Sequence, residues 1–143
     1  MNDYDDIVEQ VAFQIQASGV EHFAAEELVR PHAGIPDLGA CWRIMPTLLV
    51  ADWIRDAIHE PLHVLSSFRS EGYNRKVGGA ANSLHLEFNA LDLTAKGTSP
   101  AELAQIVERH PLAQQMGLGV YGTFIHIDTR GVLGRSAPAR WTS

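Results

Sequence analysis

The stretch Ser83-Leu84-His85-Leu86-Glu87-Phe88-Asn89-Ala90-Leu91-Asp92-Leu93-Thr94 ends in a strand and carries two metal-binding side chains. Side chains alternate across a strand, so Leu91 and Leu93 take one face while Ala90, Asp92 and Thr94 take the other. Asp92 therefore faces away from the apolar side. Phe124-Ile125-His126-Ile127-Asp128 obeys the same rule: Ile125 and Ile127 point one way, His126 and Asp128 the other. Two such strands need a layer to cover their apolar faces, and they leave His85, Asp92 and His126 free to converge. Two imidazoles and one carboxylate suggest a mononuclear zinc site with its fourth tetrahedral position open to water or substrate, which is what a hydrolase needs.

Helical patterns on either side supply the covering layer. Ile7, Val8, Val11, Ala12 and Ile15 recur at helical spacing after an acidic start that suits a helix amino end, and the pattern stops at Ser18-Gly19, predicting a packing helix over about 3–17. Phe23 to Leu28 reads as a short helix, followed by a loop through Pro31, Gly34, Pro36 and Gly39. From Pro46 to Ile58, Leu48, Leu49, Trp53, Ile54 and Ile58 repeat at three and four, which predicts a core helix. Leu62 to Phe68 has strand character, and Gly78-Gly79 breaks the chain in a turn that Tyr73, Asn74 and Arg75 brace. Ser99-Pro100-Ala101-Glu102 opens a further helix with a capping Ser, Pro at the first position and an acid at the third, and Leu103, Ile106 and Val107 form its buried stripe. The expected fold class is α+β, with helices packed against a small antiparallel sheet.

Composition narrows the function. The chain of 143 residues, 45% hydrophobic, is read as one domain over residues 1–143 with a real core. A net charge of -6 and a pI near 5.5 argue against a non-specific nucleic-acid binder, whose footprint is a basic face. The charge is uneven: seven of the 17 acids precede Arg30 and no Lys or Arg does, so a cleft built from later residues can be locally positive. Cys41 is the single cysteine, which excludes an internal disulfide and a thiolate zinc cage; beside Trp42 it reads as buried filler. The amino terminus is acidic and its apolar positions are interrupted, unlike a secretory signal, and no run approaches the ~20 apolar residues of a membrane span. The expectation is a monomer without signal peptide or integral membrane segment, cytoplasmic as synthesised, whose export would need another route or a partner.

Ser67-Phe68-Arg69-Ser70-Glu71-Gly72-Tyr73-Asn74-Arg75-Lys76-Val77-Gly78-Gly79-Ala80-Ala81-Asn82-Ser83-Leu84-His85 resembles the zinc D-alanyl-D-alanine carboxypeptidase family of bacterial and phage cell-wall metallopeptidases. The hallmark is Ser-x-His followed seven residues later by Asp, then a strand bearing a third ligand. Gly119-Val120-Tyr121, Phe124 to Asp128 and the closing Arg140-Trp141 are also similar to that family, so the likeness runs roughly from Phe23 to Trp141. The resemblance implies the hedgehog/DD-peptidase fold, a zinc cofactor held by His85, Asp92 and His126, and peptidoglycan peptides as partners, cut next to D-amino acids. It also gives Arg69 the place of an arginine that holds substrate near the metal, where a guanidinium suits a carboxylate or an oxyanion. Two places depart from the family pattern. Phe88 stands where Gly is usual, three residues after the first ligand, which reshapes the loop towards Asp92. Thr123 and Phe124 stand where relatives supply a Glu or His as catalytic base, so the resemblance leaves the base unassigned.

Chemical need supplies candidates for that base. Asp128, two residues beyond His126 on the same strand face, is the first; its rival role is to accept a hydrogen bond from a ligand imidazole and fix the tautomer. Glu87 is a weaker candidate. Tyr121 can donate to a developing oxyanion or serve as a core tyrosine, Ser83 of the Ser-x-His motif joins Arg69 and Tyr121 in the expected substrate-binding set, and Trp141 reads as a clamp for the carboxyl terminus. His22, His32, His59, His63 and His110 read as surface or hydrogen-bonded residues. Two functions from different classes follow: a zinc peptidase acting on peptidoglycan stem peptides or cross-links, of carboxypeptidase or endopeptidase (endolysin) type, or a non-catalytic metal-stabilised structural or wall-binding module of a phage particle or secretion system that kept the ligands and lost the base.

Overall fold

The computed structural model describes residues 2–143. Helix α1 (Tyr4–Ser18) begins at a capping box in which Asp3 and Asp6 satisfy each other's backbone N–H groups, and ends at Gly19 in the left-handed conformation. A short α2 (Ala25–Leu28) and two 3-10 turns, Pro31–Ala33 and Leu38–Ile44, lead into α3 (Met45–Ile58). Then follow β1 (His63–Ser66), α4 (Glu71–Lys76), β2 (Ala90–Thr94), α5 (Pro100–Val107), β3 (Gly117–Val120), β4 (Ile125–Asp128) and β5 (Ala139–Thr142). The expected cap of α5 is present, with Ser99 and Glu102 forming a second capping box and Pro100 at the first turn.

The strands form one sheet in the order β1-β2-β4-β3-β5. All its pairings are antiparallel except β3 with β5, which run parallel, so the antiparallel sheet read from the sequence holds for four strands and not for the fifth. Leu91, Leu93, Leu118, Ile125 and Ile127 point to one face and join Ile7, Val11, Leu28, Ile44, Leu48, Ile54, Leu103 and Val107 in the core. Removing such side chains from water contributes about 1.5–3 kcal/mol each and holds the helices to that face. The opposite face carries Asp92, His126 and Asp128.

A buried polar cluster ties α3 to the segment between His85 and β2 and to the end of β4. Thr47 Oγ1 donates to the Asn89 carbonyl at 2.7 Å and lies 2.8 Å from Thr129 Oγ1, while the Thr129 N–H donates to Asn89 Oδ1 at 3.0 Å. The ends of the His85 loop and of β4 are thereby fixed to one helix. Elsewhere α3 departs from expectation: Leu49 and Trp53 are 43% and 37% exposed, and the core is instead met by Thr47, Leu48, Val50, Ala51 and Ile54. Cys41 is fully buried, as read, and its neighbour Trp42 is exposed. Among the described residues no helix is long and apolar enough to cross a membrane.

Candidate metal centre

Asp92 on β2 and His126 on β4 are direct cross-strand partners, so the sheet register alone brings two of the three expected ligands side by side. His85 arrives from successive turns after α4, in which the N–H groups of Leu86, Glu87 and Phe88 bond the carbonyls of Ser83, Leu84 and His85. Phe88 closes the loop with a positive φ of 54°. One donor atom from each of His85, Asp92 and His126 lies within 4.8 Å of the others, and all three residues are buried.

The hydrogen bonds behind the rings decide whether this set fits a cation. His85 Nδ1 lies 2.6 Å from the Ser67 carbonyl, and His126 Nε2 lies 2.7 Å from Asp128 Oδ2. A carbonyl and a carboxylate can only accept, so each of these outer nitrogens carries a proton. The inner nitrogens, His85 Nε2 and His126 Nδ1, then face Asp92 Oδ1 at 3.1 and 3.2 Å. Neutral rings would aim two lone pairs at one carboxylate; a divalent cation between the three resolves that clash, and outer acceptors of this kind are what orient metal-binding histidines. The residues fit a zinc ion with one position open to the cleft.

Without a cation, a proton on an inner ring nitrogen is what can satisfy Asp92. Burial works to raise the Asp92 pKa, but its hydrogen bonds to His126 and His85 prevail and hold it far below the usual carboxylate range. Burial lowers the His85 pKa. Burial also opposes charge on His126, yet its hydrogen bonds to Asp128 and Asp92 outweigh that and raise its pKa.

Asp92, His85 and His126 open onto a cleft of about 450 Å³ also lined by Arg69, Ser83, Tyr121, Phe124, Arg130, Arg135 and Trp141. Three guanidiniums line it, each paired with a carboxylate: Arg69 with Asp92, Arg130 with Asp128 and Arg135 with Glu87. Arg69 is held by Ser66 Oγ at 3.1 Å and Asn74 Oδ1 at 3.2 Å, and its Nη2 lies 3.4 Å from Asp92 Oδ2. Asn74 does bond the backbone of the Gly78-Gly79 turn region, donating to Ala80 O at 2.9 Å, but it sits on a helix, α4, that the sequence reading missed. The Ser83 hydroxyl accepts the His85 N–H at 3.2 Å, and the Tyr121 hydroxyl accepts from Trp141 Nε1 at 2.9 Å while its ring stacks on Phe124.

Asp128 is elsewhere. It is fully buried, on the Nε2 side of His126 rather than in the cleft. Its oxygens accept from Gly117 N, Arg130 N, Arg130 Nε, Arg130 Nη2 and His126 Nε2 at 2.7–3.1 Å. A carboxylate has about four lone-pair sites, so these donors fill it. Glu87 lies in a neighbouring cleft and pairs with Arg135 at 2.6 Å. Of the remaining histidines, His22 pairs with Asp56 at 2.7 Å and His110 accepts the Leu112 N–H at 2.9 Å. Arg130 and Arg135 were not singled out from the sequence; Arg130 opens a 3-10 turn past the end of β4, where strand alternation no longer says which way a side chain points.

Comparison with known proteins agrees with this geometry. The family model described as Peptidase M15 matches residues 12–128, which includes every expected ligand. A zinc D-Ala-D-Ala carboxypeptidase from Streptomyces albus G is 38% identical over 82 residues, which cover 56% of this chain and 32% of that protein. The match thus spans about a third of the curated relative's length. With the ligand strands, the turn-borne histidine and the matched segment coinciding, the chain belongs to the peptidase M15 family.

Proposed function

We propose that this chain is a zinc-dependent peptidase that hydrolyses peptide bonds in peptidoglycan stem peptides or cross-links. The observation that carries the reading is the buried His85, Asp92 and His126 set, with acceptors behind both rings, opening onto an arginine-lined cleft. The relative's name, a zinc D-Ala-D-Ala carboxypeptidase, supports both the metal and the substrate class.

His85 Nε2, an Asp92 oxygen and His126 Nδ1 would hold the metal. Zinc bound there supplies Lewis-acid activation of water and of the scissile carbonyl. Arg69, fixed by Ser66 and Asn74, offers its guanidinium to the substrate's carboxylate or to the developing oxyanion. Tyr121 receives a hydrogen bond from Trp141, which leaves its own O–H free to donate towards the same oxygen. Ser83 caps the ligand loop at the cleft wall. Asp128 takes the positioning role: it holds His126 in the tautomer that presents Nδ1.

Mass analysis of products from defined muropeptides, alongside zinc content, tests the proposal. Release of a terminal D-residue identifies a carboxypeptidase, and internal cleavage identifies an endopeptidase of lysis type. His85→Ala should lose both metal and turnover. The saturation of Asp128 by five donors, together with Thr123 and Phe124 at the places of the family base, favours a second reading: a metal-stabilised module of a wall-binding or particle component. Stoichiometric zinc without turnover on any wall peptide would select it.

A further inference from the structure

Gly117 and Gly119 lie two residues apart on β3 and leave two gaps on the site face of the sheet. Both gaps are filled. A Cβ at Gly117 would meet Asp128 Oδ2 at 2.6 Å and Arg130 Nε and Nη2 at 2.7 Å, and one at Gly119 would collide with the indole nitrogen of Trp141. The register explains the pairing: Gly117 faces Asp128 on β4 and Ala139 on β5, and Gly119 faces His126 and Trp141.

Arg130 joins the two fillings. Its Nε and Nη2 grip Asp128 Oδ1 and Oδ2 as a fork, each at 2.9 Å, and its guanidinium carbon lies 5.3 Å from the centre of the Trp141 ring. Beyond Asp128 is His126 Nε2; beyond the Trp141 indole, through Nε1, is the Tyr121 hydroxyl. The Trp141 ring also lies 5.1 Å from that of His126.

We propose that Arg130 is a positioning residue for the metal site, setting His126 through Asp128 and Tyr121 through Trp141. The proposal rests on the metal-site reading above. Arg130 supplies three of the five donors to Asp128, counting its backbone N–H, so without its side chain the carboxylate keeps only His126, Gly117 and one backbone donor to fix it. A carboxylate that rotates no longer holds the imidazole plane, and the ligand lone pair leaves the metal direction. The fork needs a planar guanidinium; a lysine keeps the charge and can still sit over a ring, but offers no fork.

Zinc affinity of the full chain, by competition with a chromophoric chelator, and the visible absorption of the cobalt-loaded protein test this. Arg130→Met should weaken zinc binding up to ~10-fold, the lower end of the cost of losing a ligand's outer partner because Arg130 acts through Asp128, and change the cobalt spectrum. Arg130→Lys should recover only part of the affinity. Trp141→Phe keeps a ring beneath Arg130 but removes the donor to Tyr121, and should lower kcat while leaving zinc affinity and KM as in the parent. Arg130 variants that bind zinc like the parent, with the parent's cobalt spectrum, overturn the inference and leave the metal site standing. A parent that binds no zinc overturns the site reading and this inference with it. Should Arg130→Met fail to fold, Arg130→Lys decides: weakened binding supports the proposal and unchanged binding overturns it.

Discussion

Arg69 reaches Asp92 across the cleft floor, its Nη2 standing 3.4 Å from Oδ2, while Ser66 and Asn74 hold its other nitrogens. The guanidinium is thus fixed beside the metal position before any substrate arrives. Arg69→Ala should lower kcat/KM on a wall peptide ~10²–10³-fold, the usual cost of one donor to a developing oxyanion. Arg69→Lys should recover little, because an ammonium cannot bind a carboxylate as a fork. Both variants should still load zinc supplied in excess, so activity measured on fully loaded samples separates loss of the substrate contact from loss of the site.

The residues just discussed were legible to different degrees, for physical reasons. Asp92 and His126 could be placed because strict alternation with Leu91, Leu93, Ile125 and Ile127 leaves one choice of face. Ser99 could be read as a cap because a capping box is a local hydrogen-bond device, whereas Asp3 stood out only as part of an acidic helix start. β3 and β5 were not read as strands, since Gly117 and Gly119 have no β preference and a parallel pairing between distant segments leaves no local mark. α4 spans six residues including Gly72, too short for a periodic stripe. Leu49 and Trp53 fit the helical spacing, but how wide a stripe the core covers depends on neighbours; Trp53 instead meets the His110 ring edge-on at 4.9 Å. Arg130 escaped notice because its role exists only where β3 makes room for it.

Metal removal should be visible as lost stability. A ligand at a thousand times its dissociation constant stabilises the state it binds by about 4 kcal/mol. Thermal unfolding followed by circular dichroism should show the zinc-loaded chain melting above the chelator-treated one. The gap should vanish in His85→Ala. An identical melting temperature with and without zinc in the parent, at a metal content near one, would contradict the site.

Zinc binding should strengthen as pH rises towards neutrality. His126 between Asp128 and Asp92 has a raised pKa in the metal-free chain, where protonation of Nδ1 competes with the ion. The sign for the metal-free fold is opposite: protonated His126 stabilises it, fully below the ordinary histidine value, and that contribution fades as pH climbs through the raised value. Zinc then takes over the role of the proton, so binding should be accompanied by proton release, more so as pH falls. Titration calorimetry in buffers of different ionisation enthalpy counts it, and a count of zero would sink the expectation.

Phe88 sets two energies against each other. Its φ of 54° is left-handed, a conformation costing roughly 1–2 kcal/mol for any residue but glycine. Its ring, however, is fully buried and meets Phe68 edge-on at 5.9 Å, and emptying such a site costs about 3–5 kcal/mol. Burial exceeds strain, which accounts for a phenylalanine at a position whose backbone suits glycine. Phe88→Gly relieves the strain but loses the ring, for a net loss of roughly 2 kcal/mol. Phe88→Ala loses the ring and keeps the strain, so it should be the less stable of the two by roughly 1 kcal/mol, reversing the usual advantage of Ala over Gly. Denaturant titration of both variants reads the order directly, and an alanine variant as stable as the glycine one would mean that the loop between His85 and Asp92 has moved out of the left-handed region.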